Sequence, residues 1–186
     1  MKTQNVIRLL AGLTFLIFFC PFFQMCSDES ITKFPFRKEK IEETTISQSA
    51  KSIETAKEKL QEDKDKSTFS GYRMATYLFE PDSLKDFDAN DLLDAVFYAF
   101  LSFSFTLIIS LIVLVQSLRK KFSSVYKLSL FNLLFATIPL LIFIFDGTIE
   151  DIAQIKSGYY LFTINIVALI TISKKAKNSN ALANAA

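Results

Sequence analysis

The stretch that decides the fold is Asp94–Gln116, DAVFYAFLSFSFTLIISLIVLVQ. It carries no charged side chain between Asp94 and Arg119, and Arg119-Lys120-Lys121 closes it. A helix rises about 1.5 Å per residue, so about 20 apolar residues cross a bilayer core. The run meets that length by itself and predicts a transmembrane helix. Within it Ala95, Ala99, Ser102, Thr106 and Ser110, continued by Val113 and Ser117, recur at steps of three and four. That spacing puts them on one helical face. Lipid is as apolar as leucine, so helices in a bilayer associate by close approach across small residues and by interhelical hydrogen bonds. The face therefore predicts a packing seam. A hydroxyl-lined solute path is the functional alternative.

Immediately upstream, Lys85–Ala95 reads KDFDANDLLDA. Its acids resemble a calcium loop of the D-x-[DN]-x-[DN]-G-x5-E type, but Asp91 replaces the glycine and Phe97 the bidentate glutamate. The simpler expectation is a cap: Asp88 or Asn90 caps the helix, and nearby carboxylates favour its positive end. Before that, Ser67–Ser83 (STFSGYRMATYLFEPDS) is rich in aromatics, with Gly71 as a break and Pro81 as a stop. It is expected to lie at the membrane surface or cap the bundle, with a strand pair as the alternative.

From Asp28 to Asp94 the chain holds 11 Lys/Arg against 16 Asp/Glu. Residues 41–66 lack Gly and Pro and predict a charged helix. Ile46, Ile53 and Leu60, with Ala50 and Ala56 between them, form one narrow apolar stripe. The stripe suits packing on the bundle, on a partner protein or on a second copy. At the start of the chain, Lys2 and Arg8 precede an apolar run, Leu9–Met25. No small-x-small triplet follows it, so residues 1–26 read as an uncleaved signal-anchor helix that Pro21, near its outer end, kinks or finishes. Neither cysteine suits lipidation, since Phe19 and Met25 precede Cys20 and Cys26.

Downstream of the central run, Arg119–Lys127 reads as a basic loop and Leu128–Phe145 as a third helix containing Pro139. Carbonyls freed by such a proline need donors from neighbours. Asp146–Ser157 reads as an acidic loop, and residues 157–173 as a fourth helix with Tyr159 and Tyr160 as interface anchors. Asn132 and Asn165 are expected to bond each other across helices three and four. The tail from Asn178, NSNALANAA, has low complexity and reads as disordered.

The basic clusters at Lys2/Arg8, Arg119–Lys127 and Lys174–Lys177 fall on one side if there are four spans. The positive-inside rule then places both termini in the cytoplasm and residues 27–93 outside. The absence of histidine excludes histidine general bases and His-ligated zinc or haem within this chain. Two cysteines cannot make a Cys-only metal site. No charged residue lies in the middle of an apolar run, which disfavours pumps and coupled transporters. The 20 Phe, four Gly and no Trp suggest AT-rich coding and a bacterial source.

Pro21-Phe22-Phe23-Gln24-Met25-Cys26 and Ser70-Gly71-Tyr72-Arg73 are similar to P-F-x-x-x-C and S-G-Y motifs. With this hydropathy order, the chain resembles a loose set of uncharacterised bacterial multi-pass inner-membrane proteins. The resemblance covers two short motifs; the family's glycine-rich stretch is missing after Cys26, and a charged segment intervenes. It implies an inner-membrane location, and no particular activity comes with it.

The expected fold is an all-α membrane protein of four transmembrane helices. They are residues 1–26 and about 94–117, 128–145 and 157–173, with a small, mainly helical extracytoplasmic segment at 27–93. The expected function is that of a non-catalytic accessory or scaffold subunit with no cofactor. Its partners would be the bilayer and another membrane or periplasmic protein, or a second copy, and no nucleic acid. An oligomeric small-solute channel or transporter is the alternative.

Overall fold

The structure, a computed structural model, describes residues 3–25, 67–79 and 94–183, with only the backbone of 180–183. The described residues are mostly helical. In chain order they form α1 (Thr3–Ile17), β1 (Pro21–Gln24), β2 (Thr68–Ser70), α2 (Gly71–Thr76), α3 (Ala95–Leu118), α4 (Phe122–Phe145) and α5 (Ser157–Ala183). Short 3-10 turns lie at Tyr77–Phe79 and Ile152–Gln154.

The four longer helices close a ring: α1 packs on α3 and α5, and α4 on α3 and α5. Their directions alternate. The Arg8 guanidinium at the start of α1 donates to the Leu118 carbonyl at the end of α3, at 3.3 Å. At the opposite end, Phe18 just past α1 meets Phe162 near the start of α5, ring centroids 5.3 Å apart. One end of the bundle is therefore aromatic and the other basic.

Polarity runs from inside to outside. Asn132 and Thr106 are fully buried, while Leu9, Phe131 and Ile164 are 63%, 55% and 67% exposed. Every one of the four helices turns large apolar side chains outward. A water-soluble bundle hides such a stripe and shows its polar face. Helices α3 and α4 are each long and apolar enough to cross a membrane. At 24 residues each, they extend about 36 Å.

The interior has three layers. The aromatic end is filled by Phe18, Phe22, Phe23, Phe103, Phe143 and Phe162 among others. The basic end holds Ile7, Ala11, Val113, Val125, Leu169 and Ala176. Between them sit the buried polar side chains Thr14, Thr106, Ser110, Asn132 and Asn165.

Several boundaries differ from expectation, each for a local reason. The first helix does not extend to Pro21 or to residue 26: it spans Thr3–Ile17, and a turn leads into an extended strand. Pro21 has no N–H and pushes Cys20 out of the helical region, while pairing with β2 satisfies the strand. Antiparallel β1 and β2 align Pro21 with Ser70, so the two motif segments quoted above lie side by side. Residues 67–79 of the aromatic stretch cap the bundle, with Met74 and Ala75 buried, and their strand pairs with β1 rather than within itself.

The cap of α3 is Asp94, not Asp88 or Asn90: its Oδ1 accepts from the Val96 N–H at 2.9 Å. Asp86–Asp91 lie outside the described residues. The basic loop is shorter than expected, because α4 already begins at Phe122. Lys120 adopts a left-handed φ of 60°. Its N–H reaches the Ser117 carbonyl and the Lys121 N–H the Gln116 carbonyl. That is a Schellman stop, which reverses the chain within three residues. The tail is not irregular from Asn178, since α5 continues to Ala183.

Two glycines let the aromatic end close. A Cβ on Gly71 would come within 2.9 Å of Phe22 Cζ. One on Gly158 would run into the Pro21 carbonyl and lie 2.8 Å from Phe22 Cδ1. Gly12 of α1 has nothing near it. Gly158→Ala is therefore expected to destabilise the protein by about 1–3 kcal/mol through overpacking. Gly12→Ala should leave stability unchanged or raise it, since alanine is the better helix former. Thermal melts followed by circular dichroism in detergent read both; equal effects would contradict this packing.

Candidate functional site

Two assemblies carry the polar chemistry of the described residues: the seam along α3 and the clamp at the aromatic end. In the seam, Ala99, Ser102, Thr106 and Ser110 are buried, whereas Ala95 is exposed at the first turn. Ser102 Oγ donates to the Phe135 carbonyl of α4 at 2.6 Å. The reason for this bond is Pro139, which lies inside α4. A helical amide at 139 would bond the carbonyl at 135, and proline has none. The α3 serine supplies the missing donor.

Thr106 and Ser110 donate back to their own helix, to the carbonyls of Ser102 and Thr106 at 2.9 and 2.8 Å. Ser110 Oγ also accepts from Asn132 Nδ2 at 2.8 Å. Asn165 does not meet Asn132, contrary to the expected pair. Its Nδ2 donates to Thr14 Oγ1 at 2.7 Å and to the Leu10 carbonyl at 3.0 Å, both in α1. The two asparagines serve different helix pairs: Asn132 ties α4 to α3, and Asn165 ties α5 to α1.

The clamp centres on Gln154, a buried side chain that uses its whole amide. Its Oε1 accepts from the N–H groups of Glu150 and Asp151 at 2.7 and 2.9 Å. Its Nε2 donates to the carbonyls of Gln24 and Thr148 at 3.0 and 3.1 Å. Asp151 Oδ1 in turn accepts from the Ala153 N–H, completing a capping box. Strand β1 is thus held on both sides. On one side it pairs with β2. On the other, the Lys156 N–H donates to the Phe22 carbonyl at 2.8 Å, and Phe23 bridges Ile155. The Met25 N–H donates to the Ser67 carbonyl at 2.9 Å, so the chain leaves and re-enters the ribbon at one point. Ser104 Oγ fixes the cap from below by donating to the Ala75 carbonyl at 2.6 Å.

Outside the bundle, a groove of about 450 Å³ is lined by Ala95, Ile138, Leu141, Ile142, Phe145 and Asp146. It is apolar except for Asp146 at its rim. Ile46, Ile53 and Leu60 of the expected stripe lie outside the described residues.

Sequence reasoning missed Gln154, Ser104 and Thr14. The D-x-x-Q spacing of Asp151 and Gln154 is a capping-box signal within what read as a plain loop. Ser104 lies off the three-four face, so periodicity alone hides it. Thr14 is a lone hydroxyl in an apolar run. Compared with known protein families, curated proteins and solved structures, the chain matches none.

The Ser102–Phe135 bond is tested by a double-mutant cycle. Ser102→Ala strands a buried carbonyl and should cost about 1–3 kcal/mol. In a Pro139→Ala background the backbone amide returns, and the same change should cost less than about 1 kcal/mol. Equal costs in the two backgrounds, read by unfolding in detergent, would show that the serine does not serve the proline gap.

Proposed function

We propose that the chain is a multi-pass protein of the bacterial inner membrane whose four long helices all span the bilayer, with both termini in the cytoplasm. It acts as a non-catalytic accessory or scaffold subunit that presents residues 26–66 on the outer side. Support for the four spans comes from the outward-facing apolar side chains of α1 and α5. Helix α1 is shorter than α3 and α4, and α5 is longer but less apolar, yet both share that exterior. Support for the orientation comes from the charges. Arg119, Lys120, Lys121, Lys174, Lys175 and Lys177 gather at the basic end, while Asp94, Asp146, Glu150 and Asp151 lie at the aromatic end.

The observation that carries the scaffold role is the clamp. Residues 26–66 join the bundle through the hydrogen-bonded pair Met25 and Ser67, on a strand that Gln154 locks in place. A rigid base serves an element that must meet a partner in a defined position. The seam gives less support to the channel alternative, because the hydroxyls of Ser102, Thr106 and Ser110 are committed to carbonyls.

Purification of the tagged protein in mild detergent is expected to bring down one stoichiometric protein partner. Replacing the stripe by Ile46→Asp, Ile53→Asp and Leu60→Asp should release it while the bundle still melts normally. Proteoliposomes are expected to leak solutes no faster than empty vesicles. A flux that the triple change S102A/T106A/S110A abolishes would overturn the scaffold role in favour of a channel.

A further inference from the structure

The fold gathers the positive charge of the basic end from distant parts of the chain. Helix α5 continues past its apolar stretch and carries Lys174, Lys175 and Lys177 with it. Ala176 packs in one cluster with Val125 and Phe122 of α4. Lys177 Nζ stands 5.7 Å from the centroid of the Tyr126 ring. The α5 lysines are thereby placed against the first turns of α4, beside Lys120 and Lys121 of the α3–α4 turn and Lys127 of α4. All six are exposed. Among the described residues no Asp or Glu stands at this end, so the charge has no acidic counterpart there.

Two local features sharpen the charge. Helix α4 starts without a side-chain cap, so its positive dipole end adds to the patch. Lys120 occupies a left-handed position that glycine would fill with less strain. A lysine there gives up backbone ease and adds a charge at the turn.

We infer that this collar binds anionic phospholipid headgroups of the inner leaflet, the lipid phosphate lying between the α3–α4 turn and the end of α5. The inference rests on the membrane-spanning reading above. It goes further in naming a lipid class and a composite site. Cations flanking membrane helices attract anionic lipid, each adding several-fold in affinity. Six of them, on one turn and two helices held side by side, favour a localised headgroup over a diffuse layer.

The test titrates the detergent-purified full chain with phosphatidylglycerol, phosphatidylcholine and inorganic phosphate, reading bound molecules by native mass spectrometry. Phosphatidylglycerol should bind at least about tenfold more tightly than phosphatidylcholine, and its binding should fall as salt rises. Either K120Q/K121Q/K127Q or K174Q/K175Q/K177Q should weaken it about tenfold. The matching Lys→Arg variants should retain it, which separates lost charge from lost folding. Equal binding of the two lipids, salt-independent binding, or unchanged binding in both Gln variants would overturn the proposal. Inorganic phosphate binding as tightly as phosphatidylglycerol would also overturn it, by showing a simple anion site. Lipid in detergent reaches every face of the protein, so this result does not depend on threading. The four-span reading fails or stands on labelling from the two sides of the membrane.

Discussion

The structure depends on one constraint: backbone polar groups removed from water must find partners inside the protein. An apolar medium offers no substitute, and each unpaired group costs several kcal/mol. Among the described residues, three places would break the rule without help. Pro139 frees the Phe135 carbonyl, and Ser102 donates to it. The chain after Ile17 abandons the helix, and β2 and the 148–156 loop bond the strand from both sides. Helix α2 is short, and Ser104 donates to its Ala75 carbonyl. In each case a side chain or strand from another element supplies the missing group, so the same bonds that satisfy the backbone also set how the elements pack.

The polar belt follows from that logic. Hydrophobic drive is weak between helices in lipid, so specificity passes to hydrogen bonds and close packing. Asn132 and Asn165 each select one neighbour, α3 and α1 respectively. With α3 against α1 and α4 against α5, the ring is closed by contacts of two kinds. Aromatic packing holds one end, where Phe22 and Phe23 meet Phe103, Phe143, Tyr159 and Phe162. Such pairs contribute about 0.5–1.5 kcal/mol each beyond burial. The result is a bundle whose aromatic end is clamped and whose basic end is a charged collar.

Much of this was legible in the chain. The central helix was, because its length and lack of charge admit one reading, and its small-residue spacing marks the face that α4 covers. Pro139 announced a stranded carbonyl, though not which donor would reach it. What stayed hidden was decided by tertiary partners. Pro21–Gln24 belongs to the same apolar run as the helix before it, and Pro21 together with pairing to a strand far along the sequence makes it extended. Phe122–Lys127 has the charge of a loop but continues α4, because Lys120 adopts a left-handed turn without glycine and reverses the chain before it. The asparagines were both recognised as interhelical, but their partners depend on the ring order, which hydropathy does not encode. Gln154 combines a readable local cap with a contact to Gln24 that no local pattern foretells.

The central claim is that all four long helices cross the membrane with both termini in the cytoplasm. The most direct measurement places single cysteines at Thr3, Glu150 and Asn178 in a chain lacking Cys20 and Cys26, and labels spheroplasts with an impermeant maleimide. The account predicts that position 150 reacts at once, while positions 3 and 178 react only after the membrane is opened. Labelling of position 3 or 178 in sealed spheroplasts, or protection of position 150, would contradict it.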